Sequence, residues 1–596
     1  MQLPNLPVFV PGPEDGPLVS STIEGCISNC AATCTESGCP AAISATDTVE
    51  PNGYSDKGEI MRWVIRQWRQ SLAGCLAAGA LLVVVAIAVA GCGGNAASGT
   101  GGTKKADVLK VVQQGGFTTL DPRSSSSQEV FLMANMYEPL LYKNPVGSKE
   151  EFRPGLATSW EVSPSGDVWT FHLREGVKFH DGEPFNATAV KSSIETTKKL
   201  GQGYAYFWNS VKSIAVVDDY TVKFTTTIPE PLDLLLSSEY AAWMFSPAAD
   251  SKPSSWFDKG NDAGSGPYMM KSYDPQNQVT LAHSPDYWGG WKDAQYKTVV
   301  VSIVPDTQTE RQMLESGQVD YQAQGSRDDV AQMKTNPAIH VAVLPSYLNY
   351  WMYLNTQRKP FSDLRVRQAL TYATPYDDIL QVAGAGLGNV SAGPIPKSLY
   401  PHNAALQSPT YDLVKAKQLL AEAGYPNGFK MTLTFASNEP IYAKIAGLVK
   451  ESFAKVGVTL DIQPLIWNTA WSKAKGPASG RQDALIITWW PAFASGVDNL
   501  RTAFETEKTP SWNLAYWYSP DFDKLVNKAW ETQPVNPAKA KQMYDEAQQM
   551  IVDACPLIVY FDDVNIQNWS NKLNVGQYAV NEAYPQVVLF YDISLR

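Results

Sequence analysis

Residues 169–190 read WTFHLREGVKFHDGEPFNATAV, and this stretch decides the fold. Trp169, Phe171 and Leu173 alternate with Thr170, His172 and Arg174, the period-two pattern of a strand with one buried face. Glu175-Gly176 supplies a turn, Val177 and Phe179 resume the alternation, and Asp181-Gly182 turns again. Asn186 then stands where a helix cap belongs, ahead of a helix running through Val190. The spacing predicts a hairpin followed by a helix.

Working outward, residues 154–166 read PGLATSWEVSPSG, and Leu120-Asp121-Pro122 lies upstream. Downstream come GSGPY (264–268), YWGG (287–290), LESGQVDY (314–321), YLNTQRKPFSDLRVRQALTYAT (353–374) and YDLVKAKQLLAEAGYPNGF (411–429). In this order, over about 107–596, the blocks resemble the family 5 extracytoplasmic solute-binding proteins, the oligopeptide- and dipeptide-binding components of ABC importers. The resemblance implies an α/β, two-lobed periplasmic-binding-protein fold, type II and cluster C-like, with an extra inserted domain. It places lobe I at 106–145, 239–320 and 566–596, the inserted domain at 146–238 and lobe II at 321–565, with hinge crossings near 320 and 565. One departure is Pro375-Tyr376, where the family has Asp-Arg or Asp-Lys; it removes a helix-capping acid.

At 596 residues, with 44% hydrophobic and 11% aromatic side chains, the chain can bury large cores. A net charge of -11 argues against nucleic acid as a partner. Arg62, Arg66 and Arg69 precede the uncharged run 72–91, which ends in Val89-Ala90-Gly91-Cys92 and a Gly/Ser-rich linker, 92–105. Residues 61–91 therefore read as a lipoprotein signal peptide with Cys92 as the lipidated residue. A run of this length also reaches about 30 Å, so an uncleaved transmembrane helix is the alternative. An export signal does not belong sixty residues inside a chain, so 1–60 reads as an over-extended start, with Met61 as the true one. Cys26, Cys30, Cys34 and Cys39 lack the CxxC pairs of zinc sites. Beyond Cys92 only Cys555 remains, expected as a buried small hydrophobe.

Past Tyr411 the periodicity predicts a βαβ unit. Asp412 caps a helix with Ala416, Leu419 and Leu420 on its stripe, and Met431, Leu433 and Phe435 alternate as a strand. A helix through Ile445, Val449 and Phe453 follows, and Val458, Leu460 and Ile462 alternate again.

Enzyme signatures are missing: the five His form no HExxH pair, and there is neither a GxSxG elbow nor a GxxxxGK[ST] loop. Asp562-Asp563 are adjacent on a strand and point to opposite faces, which suits a hinge better than a catalytic dyad. The sequence therefore predicts binding without turnover, with no cofactor and no metal. A binding cleft needs aromatic surface and a few polar anchors. Eighteen Trp are available, clustered late at 467, 471, 489, 490, 512 and 517, although most Trp in any protein serve the core. Trp489 and Trp490 follow a strand at 484–488, at the carboxyl end where α/β ligands sit. The resemblance adds Trp467, Phe117, Thr118, Thr119, Tyr204, Tyr350 and Asn513 as ligand-binding positions. At Ala492 the peptide binders carry an Asp that pairs with the ligand's α-amine; an uncompensated ammonium there is costly, unless Asp498 substitutes. The expected partners are a small solute or peptide, ABC permease and ATPase subunits, and the membrane through a lipid anchor. The body is expected as a monomer on the outer face of the cytoplasmic membrane. An oligosaccharide or other uncharged ligand, or a sensor role, stays open as the alternative.

Overall fold

The computed structural model describes residues 108–580 and 587–596. The expectations for 1–60, for the signal 61–91, for Cys92 and for the linker 92–105 fall outside the described residues. The main sheet has eleven strands. Ten lie along one path, in the order Thr459–Leu465, Lys430–Ala436, Ala484–Trp489, Ile339–Leu354, Leu557–Ser570, Tyr321–Gln322, Leu109–Gln113, Thr298–Ile303, Gln278–His283, Tyr268–Asp274. The first two are parallel and joined by the helix Pro440–Ala454, as the βαβ periodicity predicts. Asp412 caps the preceding helix, Leu413–Glu422, by accepting the N–H groups of Val414 and Lys415.

Two long strands connect the halves of this sheet. Ile339–Leu354 and Leu557–Ser570 pair antiparallel along their length, with register shifts between Pro345 and Asn349 and between Asn349 and Trp351. On one side of the shifts, Ile339–Pro345 pairs with Val564–Ser570 beside Tyr321–Gln322 and Leu109–Gln113. On the other side, Asn349–Leu354 faces Ala484–Trp489. The passage between halves thus falls at 345–349 and 562–564. The sequence reading put the first passage near 320, but residues 321–345 pair and pack with the Leu109 side: Val319, Met333 and Ile339 share a core with Val112. Register, which periodicity cannot report, decides this. At the passage Asp562 and Asp563 take different partners, as adjacent strand residues must. Asp562 accepts from the Ser391 hydroxyl and from the Lys397 N–H, and Asp563 pairs with Arg327.

A separate four-stranded antiparallel sheet follows the order Ala157–Val162, Val168–Leu173, Thr221–Thr226, Val211–Asp218. Trp169, Phe171 and Leu173 are buried in it, with Thr170 and His172 outward, as alternation predicts. The predicted hairpin does not form. Both edges of Val168–Leu173 are already occupied, so Val177 and Phe179 instead sit buried in a loop held by the bridge Lys178–Pro184. The helix does form, as Ala187–Leu200. The Asn186 side chain accepts the Ala189 N–H at its start, and Gly201 at φ 65 ends it. At the departure from the family pattern, Tyr376–Val382 starts after Pro375 without a side-chain cap, and Asp377 and Asp378 face its positive end.

Among the described residues no helix is long and apolar enough to cross a membrane, and no His, Cys, Asp or Glu cluster could hold a metal. Cys555 is a buried free thiol, its pKa pushed by burial up to about 11.

Candidate functional site

The strand Ala484–Trp489 ends at a sharp change of direction, and residues 491–500 are all buried. Gly496 starts the helix Val497–Phe504 there, and any Cβ on it would meet Ile395 at 2.4 Å, so the close approach requires glycine. This turn sets Trp489 flat on Trp351, with centroids 5.0 Å apart and planes 6° apart. Trp512 packs edge-on against Trp489 at 6.0 Å and against Trp471 at 5.0 Å, and Trp471 stacks on Trp467 at 5.0 Å. Five indoles thus run from the core to Trp467 and Trp512, which are 41% and 42% exposed. The buried indole N–H of Trp490 finds no hydrogen-bond acceptor, and that of Trp489 is held only by the Asp498 carboxyl.

A second wall meets this one. The Ser238 hydroxyl donates to the Ala492 carbonyl at 3.2 Å, and the Phe207 ring stands edge-on to Phe493 at 5.6 Å. Tyr204 backs Phe207 at 5.6 Å and packs on Tyr240 at 4.8 Å. Behind residue 492 lies Asp498, 1% exposed, whose carboxyl accepts the Ala492 N–H at 3.1 Å and the Thr502 hydroxyl at 2.7 Å. Burial raises its pKa to about 6 against those bonds, and burial first, with the Asp498 charge second, raises those of Tyr204 and Tyr206.

The sequence-predicted residues divide. Trp467 and Trp489, with Tyr204 on the facing wall, belong to this assembly, and Trp490 follows Trp489 in the chain without a ring contact to it. Phe117, Thr118 and Thr119 make their contacts elsewhere: Phe117 stacks on Phe131, Thr118 donates to Glu129 at 3.2 Å, and Thr119 to Asp258 at 2.8 Å. Tyr350 lies in the passage between halves, stacked on Phe561 at 4.7 Å with its hydroxyl 3.3 Å from Asp563. Asn513 is spent on its own loop: its amide donates to the carbonyls of Phe504, Glu505 and Trp517 and accepts the Trp517 N–H. The reading missed Ser238, Phe207 and Phe493, which carry no motif, and passed over Trp471 and Trp512, whose only signal was the late cluster of Trp.

An aromatic face at a strand's carboxyl end, met by a second wall of aromatic and backbone groups, is the kind of surface a solute-binding protein presents. Residues 151–511 match the middle region of the bacterial extracellular solute-binding proteins, family 5, and the chain belongs to that family. It is 30% identical over 442 residues to the dipeptide-binding protein of Escherichia coli K12, covering 69% of this chain and 80% of that one. It is 29% identical to the heme-binding protein A of Haemophilus influenzae, covering 68% and 78%. Among solved structures it superposes on a dipeptide-binding protein from Pseudoalteromonas sp. SM9913 in complex with Met-Leu. The TM-score is 0.70 at 25% identity, over 82% of this chain and all of that one. The periplasmic binding protein DppA from Helicobacter pylori, in complex with the peptide STSA, gives 0.70 at 26% identity, over 82% and 98%. The fold is the two-lobed, type II arrangement, and the chain is a substrate-binding protein of the ABC-importer kind.

Proposed function

We propose that this protein captures a peptide between its lobes and hands it to the permease and ATPase subunits of an ABC importer, without turnover. The observation that carries the reading is the junction of Trp489–Phe493 with Ser238 and Phe207, where two walls of aromatic and backbone groups meet. The peptide-binding relatives support it. The lobes close about 345–349 and 562–564, with lobe II beginning after the first passage. Binding shifts that hinge only through its preference for the closed form, and a ligand held by both walls has one. Small-angle scattering should give a smaller radius of gyration with ligand, and a product formed from the bound peptide would sink the reading.

The peptide's α-amine contributes little here. Residue 492 is Ala, and Asp498 already accepts two bonds from the protein. N-acetylated and free peptides therefore compete within about threefold, and Ala492→Asp shifts the preference toward free amines. Strong wild-type preference for the free amine in calorimetric competition would mean that Asp498 serves as counter-charge. The exposed faces of Trp467 and Trp512 favour a second reading, an uncharged oligosaccharide, which belongs in the same competition panel. Diacylglyceryl on Cys92 anchors the monomeric body outside the cytoplasmic membrane. Cys92→Ser abolishes lipid labelling; a Ser variant that stays membrane-bound and uncut indicates a transmembrane helix instead.

A further inference from the structure

A side chain also crosses the passage between the halves. Arg327–Asp329 forms a short turn ahead of the helix Val330–Met333, and the main chain of this segment belongs to the Leu109 half. Gly325 donates its N–H to the Ile566 carbonyl at 2.8 Å. From the helix Thr307–Glu315, Arg311 at 2.7 Å and Gln308 at 3.2 Å hold the Asp329 carboxyl. Met333 packs in one core with Val112. Across the passage, Tyr350, Phe561, Ile379 and Ala383 share the core of the other half.

Arg327 reaches from the first half into the second. Its guanidinium pairs with Asp563 in the passage, donates to the Gly384 carbonyl at 3.4 Å, and lies 5.6 Å from the Phe561 ring and 6.0 Å from that of Tyr350. The Tyr350 hydroxyl donates to the same Asp563 carboxyl at 3.3 Å. Gly384 opens a loop whose far end is tied to the passage: Asn389 pairs with Asp562, and a Cβ on Gly388, at φ 98, would collide with the Asp562 carbonyl. The side chains of Arg327 and Asp563 are only 11% and 13% exposed, so their charges meet away from most of the solvent. The neighbouring pair Asp328–Lys444 spans the same two halves, but it lies in solvent, where a pair contributes little.

These contacts coexist with the closed junction of the walls, where Ser238 meets Ala492. Asp563 stands in the passage about which the lobes turn, whereas Gly384 and the two rings belong to the half that moves. A rotation that parts Ser238 from Ala492 therefore carries the Gly384 carbonyl and the ring faces away from a guanidinium anchored in the other half. A largely buried cation that loses a carbonyl and two rings is left with one counter-charge, and opening bears that cost. We propose that Arg327 is a clasp across the hinge, a positioning residue whose full set of contacts holds only in the closed arrangement and which thereby tightens the binding of every solute without touching any. The proposal rests on the hinge placed at 345–349 and 562–564.

Stopped-flow Trp fluorescence and small-angle scattering on the full extracytoplasmic chain test it, with the dipeptide Met-Leu and N-acetyl-trialanine as probes. Arg327→Met keeps the reach of the side chain and removes its charge. It is expected to raise the dissociation rate of both probes by the same factor, about tenfold, with association within about twofold of wild type. Its probe-free radius of gyration is expected to exceed that of wild type, and Arg327→Lys to bring both readouts back toward wild type. Circular dichroism confirms folding, and Asp563→Asn, which removes the other charge, carries the same expectation should Arg327→Met fail to fold. A purely structural side chain would lower the urea midpoint and leave the radius and the dissociation rates unchanged. That result, in a wild type that contracts on binding, overturns the clasp and leaves the hinge standing. Unequal factors for the two probes also overturn it, because they place Arg327 against the solute. A wild type that binds a probe without contracting removes the hinge, and the clasp falls with it. If neither probe binds, the probe-free radius decides alone: a larger value in Arg327→Met supports the clasp and an equal one overturns it.

Discussion

Two regions of this molecule treat their buried polar groups in opposite ways. Around residues 169–190 they are satisfied. His180 bonds through one ring nitrogen to Asp262 and through the other to the Gly266 carbonyl, each at 2.8 Å. The Trp169 indole donates to the Glu230 carbonyl at 2.9 Å. The adjoining Glu138, fully buried, accepts from Trp288 at 3.0 Å, Ser265 at 2.9 Å and Tyr287 at 3.2 Å. Around 489–530, by contrast, the buried Trp490 indole N–H finds no partner, and those of Trp489 and Trp530 are held only loosely, by the Asp498 and Glu230 carboxyls. The first pattern is what a fold needs, because an orphaned buried group costs about 1–3 kcal/mol. The second is what a binding face needs, groups held rigidly and left for a ligand to satisfy. The stretch easiest to recognise in the sequence is therefore a folding device, and the region proposed to meet solute is the less distinctive one.

The comparison breaks most readily at Glu138. Glu138→Leu takes the acceptor from the buried Ser265 hydroxyl and from the more exposed Tyr287 and Trp288, and should destabilise the protein by about 1–3 kcal/mol in urea unfolding, with peptide affinity of the folded protein within twofold of wild type. A loss of affinity at unchanged stability would move Glu138 into the binding machinery. Acidity tests the same contrast. Burial lifts Glu138, Asp233 and Glu310 to about 7 and Asp498 to about 6. A pKa raised on folding means that the native state holds protons the unfolded chain has lost. The stability it lends is complete below the unfolded value and disappears as pH rises through the folded one. The urea midpoint should therefore fall between about pH 4 and pH 7, and Glu138→Gln should flatten the fall.

On the binding side, Trp489→Ala removes the link between Trp351 and Trp512. It should weaken every ligand at least tenfold, about 1.4 kcal/mol; a loss confined to one ligand class would make the indoles selective rather than general. The smallest effect belongs to the ion pair of Lys444 with Asp328, 3.1 Å across and largely exposed. Lys444→Ala should change stability by about 0.5 kcal/mol or less. A larger change in stability, or any change in affinity, would make this pair part of the hinge.

By itself the sequence determined the local elements whose periodicity has one reading. These are the strand Val168–Leu173, the helix capped by Asn186, the βαβ unit after Asp412 and the aromatic residues at the end of Ala484–Trp489. Each depends on residues within one or two turns, so its pattern is complete in a short window. Tertiary structure decided which strands pair, and with that the absence of the predicted hairpin and the passage at 345–349 instead of 320. It also decided that Asn513 is consumed by its own loop while Trp471 and Trp512 join Trp489. Those outcomes turn on contacts between residues far apart in the chain, where register and burial, not local pattern, set the free energy.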